Sequence, residues 1–558
     1  MIPGLLASEV SAALREFIVT GYETETAPFK GEFHRLVEEQ QDGEAFLKGP
    51  YVSVGLPFMH GKSGRDFFQG FETEHPPFAH QELAWQRLAS DKQAANTVVA
   101  TGTGSGKTEC FLYPVLDHCK REAGPGIKAI VIYPMNALAT DQAKRFANEI
   151  QRQPALKGMR VGLFVGGDGQ GSRAMGPDQV ITDKETLREN PPDVLLTNYK
   201  MLDYLLMRPQ DQKLWANNGP DTLRYLVVDE LHTFDGAQGT DLSLLIRRLR
   251  ARFSMAPEQL ICVGTSATLG GEDSIKGLLG YASDIFSSPF RRESVIAEQR
   301  VGVEGFLDNI GFLNPNPDIG PEELQEALQK GLADYLLKAY ELYFSKVPDE
   351  DLMSMAGRQR LGKELKQHGQ FANLLRQLRL GKGTPTFRDL VDRLAAQFPK
   401  RFDRQREHAL IALFSLMAHA RNEFGRPFVQ LRLQLWSREL RRIVGMLREP
   451  APVGAHGQDL EGTGTTSQLP PLLSFGDDQA PKDQRQLRLP LVQCRECHGT
   501  AWLTRMEASH PTDQTVEADL QSIYAAFFSN QPETSLLLPW QEGESSSPAG
   551  MRLDHFKV

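Results

Sequence analysis

Thr97-Val98-Val99-Ala100-Thr101-Gly102-Thr103-Gly104-Ser105-Gly106-Lys107-Thr108 runs from a short apolar stretch into a glycine-rich loop, and a helix-like stretch, Glu109 to Cys119, follows at once. Strand, loop and helix in that order make a phosphate-binding P-loop, because the glycines let backbone N–H groups turn inward around a polyphosphate. Thr103, Gly104, Ser105 and Gly106 form the cradle, Lys107 brings a point charge to the β- and γ-phosphates, and Thr108 offers its hydroxyl to Mg²⁺. ATP and Mg²⁺ are the cofactors this pattern predicts. The competing reading, a glycine-rich turn that fits by accident, loses weight from what lies downstream.

About 120 residues on, Arg224-Tyr225-Leu226-Val227-Val228 reads as a buried parallel strand ending in Asp229-Glu230-Leu231-His232. Two adjacent carboxylates at a strand end suit Mg-nucleotide hydrolysis: Asp229 to hold the metal, Glu230 to orient and deprotonate the attacking water. A solvated acidic pair is the bland alternative. It leaves unexplained the apolar lead-in, and the second run Gln259 to Gly264 that delivers Thr265-Ser266-Ala267-Thr268.

With these segments in order, the chain resembles the superfamily 2 helicases of the DEAD/DEAH-box type over roughly residues 75–290. The resemblance implies a RecA-like first motor domain, with Lys107, Asp229, Glu230 and His232 catalytic. Gln81, in Phe78-Ala79-His80-Gln81, matches the glutamine that reads adenine. Pro134, Asn136 and Ala137, with Gln142 on the following helix, match a motif that contacts the nucleic-acid backbone. Gly167, and Thr197-Asn198, match two more. Ser266, Ala267 and Thr268 match the motif that couples nucleotide to strand movement. Phe71 to Pro77, Glu230 to Asp241 and Cys494-Arg495-Glu496-Cys497-His498 are also similar to the large bacterial helicases of anti-phage defence islands, of the Druantia type, which implies action on DNA.

A chain of 558 residues is long enough for three or four domains. Its net charge of −9 gives no global basic signature, yet a motor grips phosphates with local clusters and backbone amides. Five cysteines argue against a disulfide scaffold and for a reducing cytoplasm. The N-terminal residues lack a basic leader, and no apolar run approaches the ~18 residues that span a bilayer, so no membrane partner is expected.

The fold class expected is α/β: a RecA-like parallel sheet with helices on both faces at 76–290, after an accessory segment at 1–75. A mainly helical module at 303–450, a flexible linker at 451–490 and a half zinc-ribbon-like hairpin with a tail at 491–558 complete the division. In the first segment Ser8 caps a helix whose stripe of Val10, Ala13, Leu14, Phe17 and Ile18 is expected to pack on the motor core, a docking face for another subunit being the alternative. Glu322 to Phe344 reads as one helix, and Phe387 to Phe398 as another with a capping pair of Thr386 and Asp389. Arg432, Arg438, Arg441, Arg442 and Arg448, with Trp436 among them, read as a helix whose leucines are core. Its arginines either line a solvated face, the favoured reading, or follow a nucleic-acid strand.

Cys494 and Cys497 are half of a zinc site; the readings open are an incomplete zinc ribbon, no metal, or a redox pair. No segment resembling the Gln-x-x-Gly-Arg-x-x-Arg of the second RecA-like domain occurs between Ala267 and Val558. A second RecA-like half, in a downstream polypeptide or a partner subunit, is therefore expected to complete the site. Two functions stand: an ATP-dependent DNA helicase or translocase working with that half, or a nucleotide-dependent DNA-binding subunit without turnover of its own.

Overall fold

The computed structural model describes residues 2–24, 26, 29–38, 46–89, 94–102, 104–167, 171–267, 272–308, 320–380, 383–395, 406–447, 473–476, 487–507, 515–516, 519–538 and 556–557. The chain divides into two compact units: Leu56–Gly302, and a discontinuous one made of Met1–Gly55 with Val303–Val558.

In the Leu56–Gly302 unit β1 (Thr97–Ala100), β2 (Ala129–Ile132), β3 (Val161–Phe164), β4 (Val194–Thr197), β5 (Tyr225–Val228), β6 (Ile261–Ser266) and β7 (Val295–Ala297) form one sheet in the order β3-β4-β2-β5-β6-β1-β7. Every pairing is parallel. The first six strands are buried along their whole length, as parallel strands covered on both faces must be. Helix α1 (Ala79–Leu88) precedes the first strand, and between the strands come α2 (Lys107–Arg121), α3 (Asn136–Arg152), α4 (Lys184–Glu189), α5 (Tyr199–Met207), α6 (Gly236–Arg252) and α7 (Glu272–Phe286).

Successive residues of one strand feed opposite cores. Leu226 and Val228 join Leu242 and Phe286 on one face, whereas Tyr225 and Val227 join Phe111 and Phe146 on the other. This is the RecA-like α/β fold. The strands' carboxyl ends, where open α/β sheets bind ligands, carry the P-loop after β1, the acidic pair after β5 and Ser266 at the end of β6.

The discontinuous unit has helices gathered around Arg406–His419, whose residues Ala409 to Met417 are nearly all buried. The N-terminal helix runs from Pro3 to Gly21 and so begins before Ser8, at a proline whose missing N–H costs nothing in the first turn. It packs on the 406–419 helix of its own unit, where Gly4 faces Ile411. Val10 and Phe17 of the stripe are exposed and Ile18 is buried. Glu322 to Phe344 is two helices, Pro321–Lys330 and Leu332–Phe344, broken at Gly331 with φ 142°. Phe387–Ala395 is helical, and Thr386 and Asp389 exchange the capping hydrogen bonds.

The arginine-rich stretch is not a helix. Gln430–Ser437 is a strand that pairs antiparallel with Leu47–Gly55 as a two-stranded ribbon. Leu440–Arg442 is a single 3-10 turn, where Glu439 pairs with Arg441 and Arg442; Arg448 lies outside the described residues. Of the expected linker, Leu473–Phe475 is a strand paired with Ile443–Leu447, and most of the rest lies outside the described residues.

Leu487–Cys494 and Thr500–Glu507 form the antiparallel hairpin that the residues around the two cysteines predict. The backbone N–H groups of Cys497 and Glu496 hold the Cys494 thiol below its ordinary pKa. However, among the described residues no group of three or more His, Cys, Asp or Glu side chains could hold a metal ion. The zinc reading is thus unsupported: two thiols at a hairpin turn are too few for a tetrahedral site. All five cysteines are free thiols. No described helix is long and apolar enough to cross a membrane.

Candidate active site

The P-loop closes on itself through short local bonds. Gly104 and Gly106 sit at φ 78° and 76°, in the left-handed region that side chains resist, and Gly106 caps the first turn of α2. The buried hydroxyls of Thr101 and Ser105 share a hydrogen bond of 2.7 Å. Behind them the His80 ring nitrogen Nε2 lies 2.8 Å from the Ser105 carbonyl, and burial lowers the pKa of that imidazole. Gln81 spends both ends of its amide on the protein: its Oε1 accepts from Phe78 N–H and its Nε2 donates to the Gly106 carbonyl. Thr103 lies outside the described residues.

The acidic pair meets this loop directly. Lys107 Nζ lies 2.7 Å from Glu230 Oε1, while Glu230 Oε2 lies 3.5 Å from His232 Nδ1. Glu230 itself occupies the left-handed region at φ 49°, a conformation that a non-glycine residue holds only where its surroundings enforce it. Thr265, fully buried on β6, provides the enforcement: its hydroxyl accepts the Glu230 N–H at 2.9 Å and donates to Asp229. Burial raises the Asp229 pKa, and that hydroxyl works against the rise. Ser266 Oγ reaches His232 Nδ1 at 3.4 Å, joining the end of β6 to the same cluster. Ala267 follows it, and Thr268 lies outside the described residues.

This donor set fits a magnesium nucleotide. A cradle of left-handed glycines leads to an ammonium, a threonine hydroxyl and a buried carboxylate at the ends of β1 and β5. The DEAD/DEAH box helicase profile matches residues 78–275.

Those residues are a DEAD/DEAH box helicase domain. The chain is 28% identical to Druantia protein DruE of Escherichia coli (strain UMEA 4076-1), over 35% of this chain and 16% of that protein. It is 26% identical to the uncharacterized ATP-dependent helicase MJ1574 of Methanocaldococcus jannaschii, over 50% of this chain and 36% of that one. A crystal structure of the DUF1998 helicase MrfA aligns over 45% of this chain and 34% of its own, with a TM-score of 0.32 and 22% identity. The chain thus spans about a third or less of the length of these two curated relatives.

On the helicase domain's other loops, Asn136 and Ala137 are exposed at the start of α3, beside the half-buried Pro134. Asn198 donates to Asn136 Oδ1 at 2.7 Å and caps α5 by accepting from Met201 N–H, so the two loops are locked together. Thr197 is fully buried and its hydroxyl donates to the Phe164 carbonyl, which makes it a brace for the strand end. The Gly167 carbonyl accepts from Lys184 Nζ. Gln142 lies on the phosphate side: the Thr108 hydroxyl donates to its Oε1 at 3.2 Å and accepts from Arg145 at 3.1 Å. Helix α3 therefore runs from the exposed Asn136 loop to the Thr108 hydroxyl of the P-loop.

Four site residues escape sequence reasoning: His80, Thr265, Arg145 and Glu298. Glu298 Oε2 accepts the Gly102 N–H at 2.8 Å, and Arg300 pairs with Oε1 at 2.7 Å. Burial alone would raise the Glu298 pKa, but these two bonds hold it below the ordinary range.

Proposed function

We propose that this chain is the ATP-hydrolysing half of a DNA helicase or translocase. The observation that carries the proposal is the meeting of Lys107 with Glu230 at the ends of β1 and β5, two strands of one parallel sheet separated by β6, with Asp229 and Thr265 beside them. When bound, Mg-ATP supplies the phosphoryl group and the metal that shields its charge. Lys107 then gives up Glu230 for phosphate oxygens, which frees the Glu230 carboxylate to orient a water and take its proton. His232 stands against the far oxygen of that carboxylate, and the same ring nitrogen lies 3.4 Å from Ser266 Oγ on β6.

A transition-state arginine belongs to a second RecA-like half, as the superfamily resemblance implies, and is worth about 10³–10⁵ in turnover. Action on DNA, and a place in anti-phage defence, draw their support from the likeness to Druantia protein DruE. DNA-stimulated phosphate release measured on the chain, alone and with such a half added, tests the reading. Lys107→Ala and Glu230→Gln are expected to abolish the stimulated rate. Release that matches those variants under both conditions leaves a nucleotide-dependent DNA-binding subunit as the surviving function.

A further inference from the structure

The ribbon of Leu47–Gly55 and Gln430–Ser437 has two chemically distinct faces. In its register Lys48 stands opposite Trp436, Tyr51 opposite Gln434 and Ser53 opposite Arg432, while Val52 pairs with Leu433 and Val54 with Leu431. Directly paired residues point to the same side of a sheet and successive pairs alternate, and the register shift between Lys48 and Tyr51 keeps Lys48, opposite Trp436, on the side of Tyr51 and Gln434. One face is therefore Val52, Val54, Leu431 and Leu433, with Val52 buried and the other three half-buried, and helices Pro3–Gly21, Phe387–Ala395 and Arg406–His419 of the same unit adjoin the ribbon. The other is Lys48, Tyr51, Ser53, Arg432, Gln434 and Trp436, with Lys48, Arg432, Gln434 and Trp436 exposed.

That second face has the wrong composition for a merely solvated surface. Trp436 leaves 62% of its area in water. Lys48 and Arg432 form no ion pair among the described residues, and none of the six positions carries a carboxylate. Arg441 and Arg442, by contrast, are both engaged with Glu439 and stand apart from the ribbon. Arg432, Gln434 and Trp436 follow at every second residue, so a cation, an amide and an indole line up over roughly 13 Å.

We infer that this face is a second nucleic-acid site, on which Trp436 stacks a base of single-stranded DNA while Lys48 and Arg432 hold the flanking phosphates. Cationic grooves with interleaved aromatics grip single strands in this way without reading their sequence. The inference rests on the motor reading above, since it supplies the strand that the motor moves along; it adds a grip that lies outside the helicase domain.

The test is binding of fluorescein-labelled dT20 to the full chain by anisotropy across a salt series. Trp436→Ala is expected to weaken binding roughly 5- to 100-fold, and Trp436→Phe to stay within about threefold of the parent, because a π-face remains. Lys48→Ala with Arg432→Ala is expected to lower the log–log salt slope by about 1.4. All three changes lie on an exposed face, and unchanged thermal unfolding confirms that each variant folds. Parental affinity and slope in Trp436→Ala and the double variant would overturn the site and leave the motor reading intact. A parent chain that binds no dT20 also overturns the site, and the motor reading falls with it only if DNA-stimulated phosphate release is absent with the second half added as well. Tighter binding of U20 than of dT20 overturns the assignment to DNA.

Discussion

Glu298 shows how a residue far from any motif comes to set the shape of one. It lies 196 residues beyond Gly102, yet its carboxylate receives the first N–H of the P-loop, and its side chain is only 18% exposed. Because this carboxyl titrates lower in the folded chain than in the unfolded one, its contribution to stability is complete above the ordinary glutamate range and is lost as pH falls through it. Glu298→Gln is expected to cost about 1–2 kcal/mol near neutral pH. Thermal unfolding of parent and variant, followed from about pH 7 down to about pH 3, should show the gap closing below about pH 4.3. A gap that holds constant across that range would place the effect in packing instead of charge. The P-loop and the acidic pair were legible in the sequence because each is contiguous and its chemistry is local. Glu298 was not, since a hydrogen bond across 196 residues leaves no spacing to read.

At the scale of elements, α3 links the exposed Asn136 loop to the Thr108 hydroxyl of the P-loop. Its first residue, Asn136, is bonded to Asn198 in the exposed loops, and Gln142 and Arg145, two turns on, hold the Thr108 hydroxyl. A helix is stiff over this length, so a shift at one end is felt at the other. Arg145→Ala with Gln142→Leu should therefore leave nucleotide affinity and DNA affinity measurable separately but uncouple them. In the parent, a non-hydrolysable ATP analogue is expected to change DNA affinity by the 5- to 150-fold typical of coupled sites, and in the double variant the ratio should fall toward one. A ratio equal to the parent's would show that coupling runs elsewhere.

The same scale explains which elements were misread. Leu431, Leu433 and Leu435 alternate with Arg432, Gln434 and Trp436 at period two, the signature of a half-covered strand, but the later arginines and Leu440 extend the run and mimic helical spacing. The break inside Glu322–Phe344 hangs on the single Gly331, whose φ of 142° no periodicity reveals.

For the whole molecule, every residue of the nucleotide site, including Glu298 and Thr265, lies within Leu56–Gly302, which has its own two-faced core. Residues 56–302 made alone are expected to fold and to bind an ATP analogue with Kd within about threefold of the full chain, as additivity between distant sites suggests. Calorimetric titration of both would show it, and a loss of binding would mean that the flanking chain shapes the pocket. The ends of this unit are clasped side by side, Met59 N–H on the Gln299 carbonyl and Val301 N–H on the Pro57 carbonyl.

With that unit clasped between its two strands in the sequence, the ribbon is a late event in the life of each molecule. Its strand Leu47–Gly55 leaves the ribosome early, but its partner, Gln430–Ser437, follows about 375 residues later. At about 5–20 residues per second the wait is roughly 20–75 s, during which a strand edge stands unpaired while the Leu56–Gly302 unit has already emerged and can fold. The Leu56–Gly302 unit needs no such partner. A nascent chain thus gains its nucleotide site well before the ribbon that accompanies it, and the interval between them is when the chain is most exposed to misassembly.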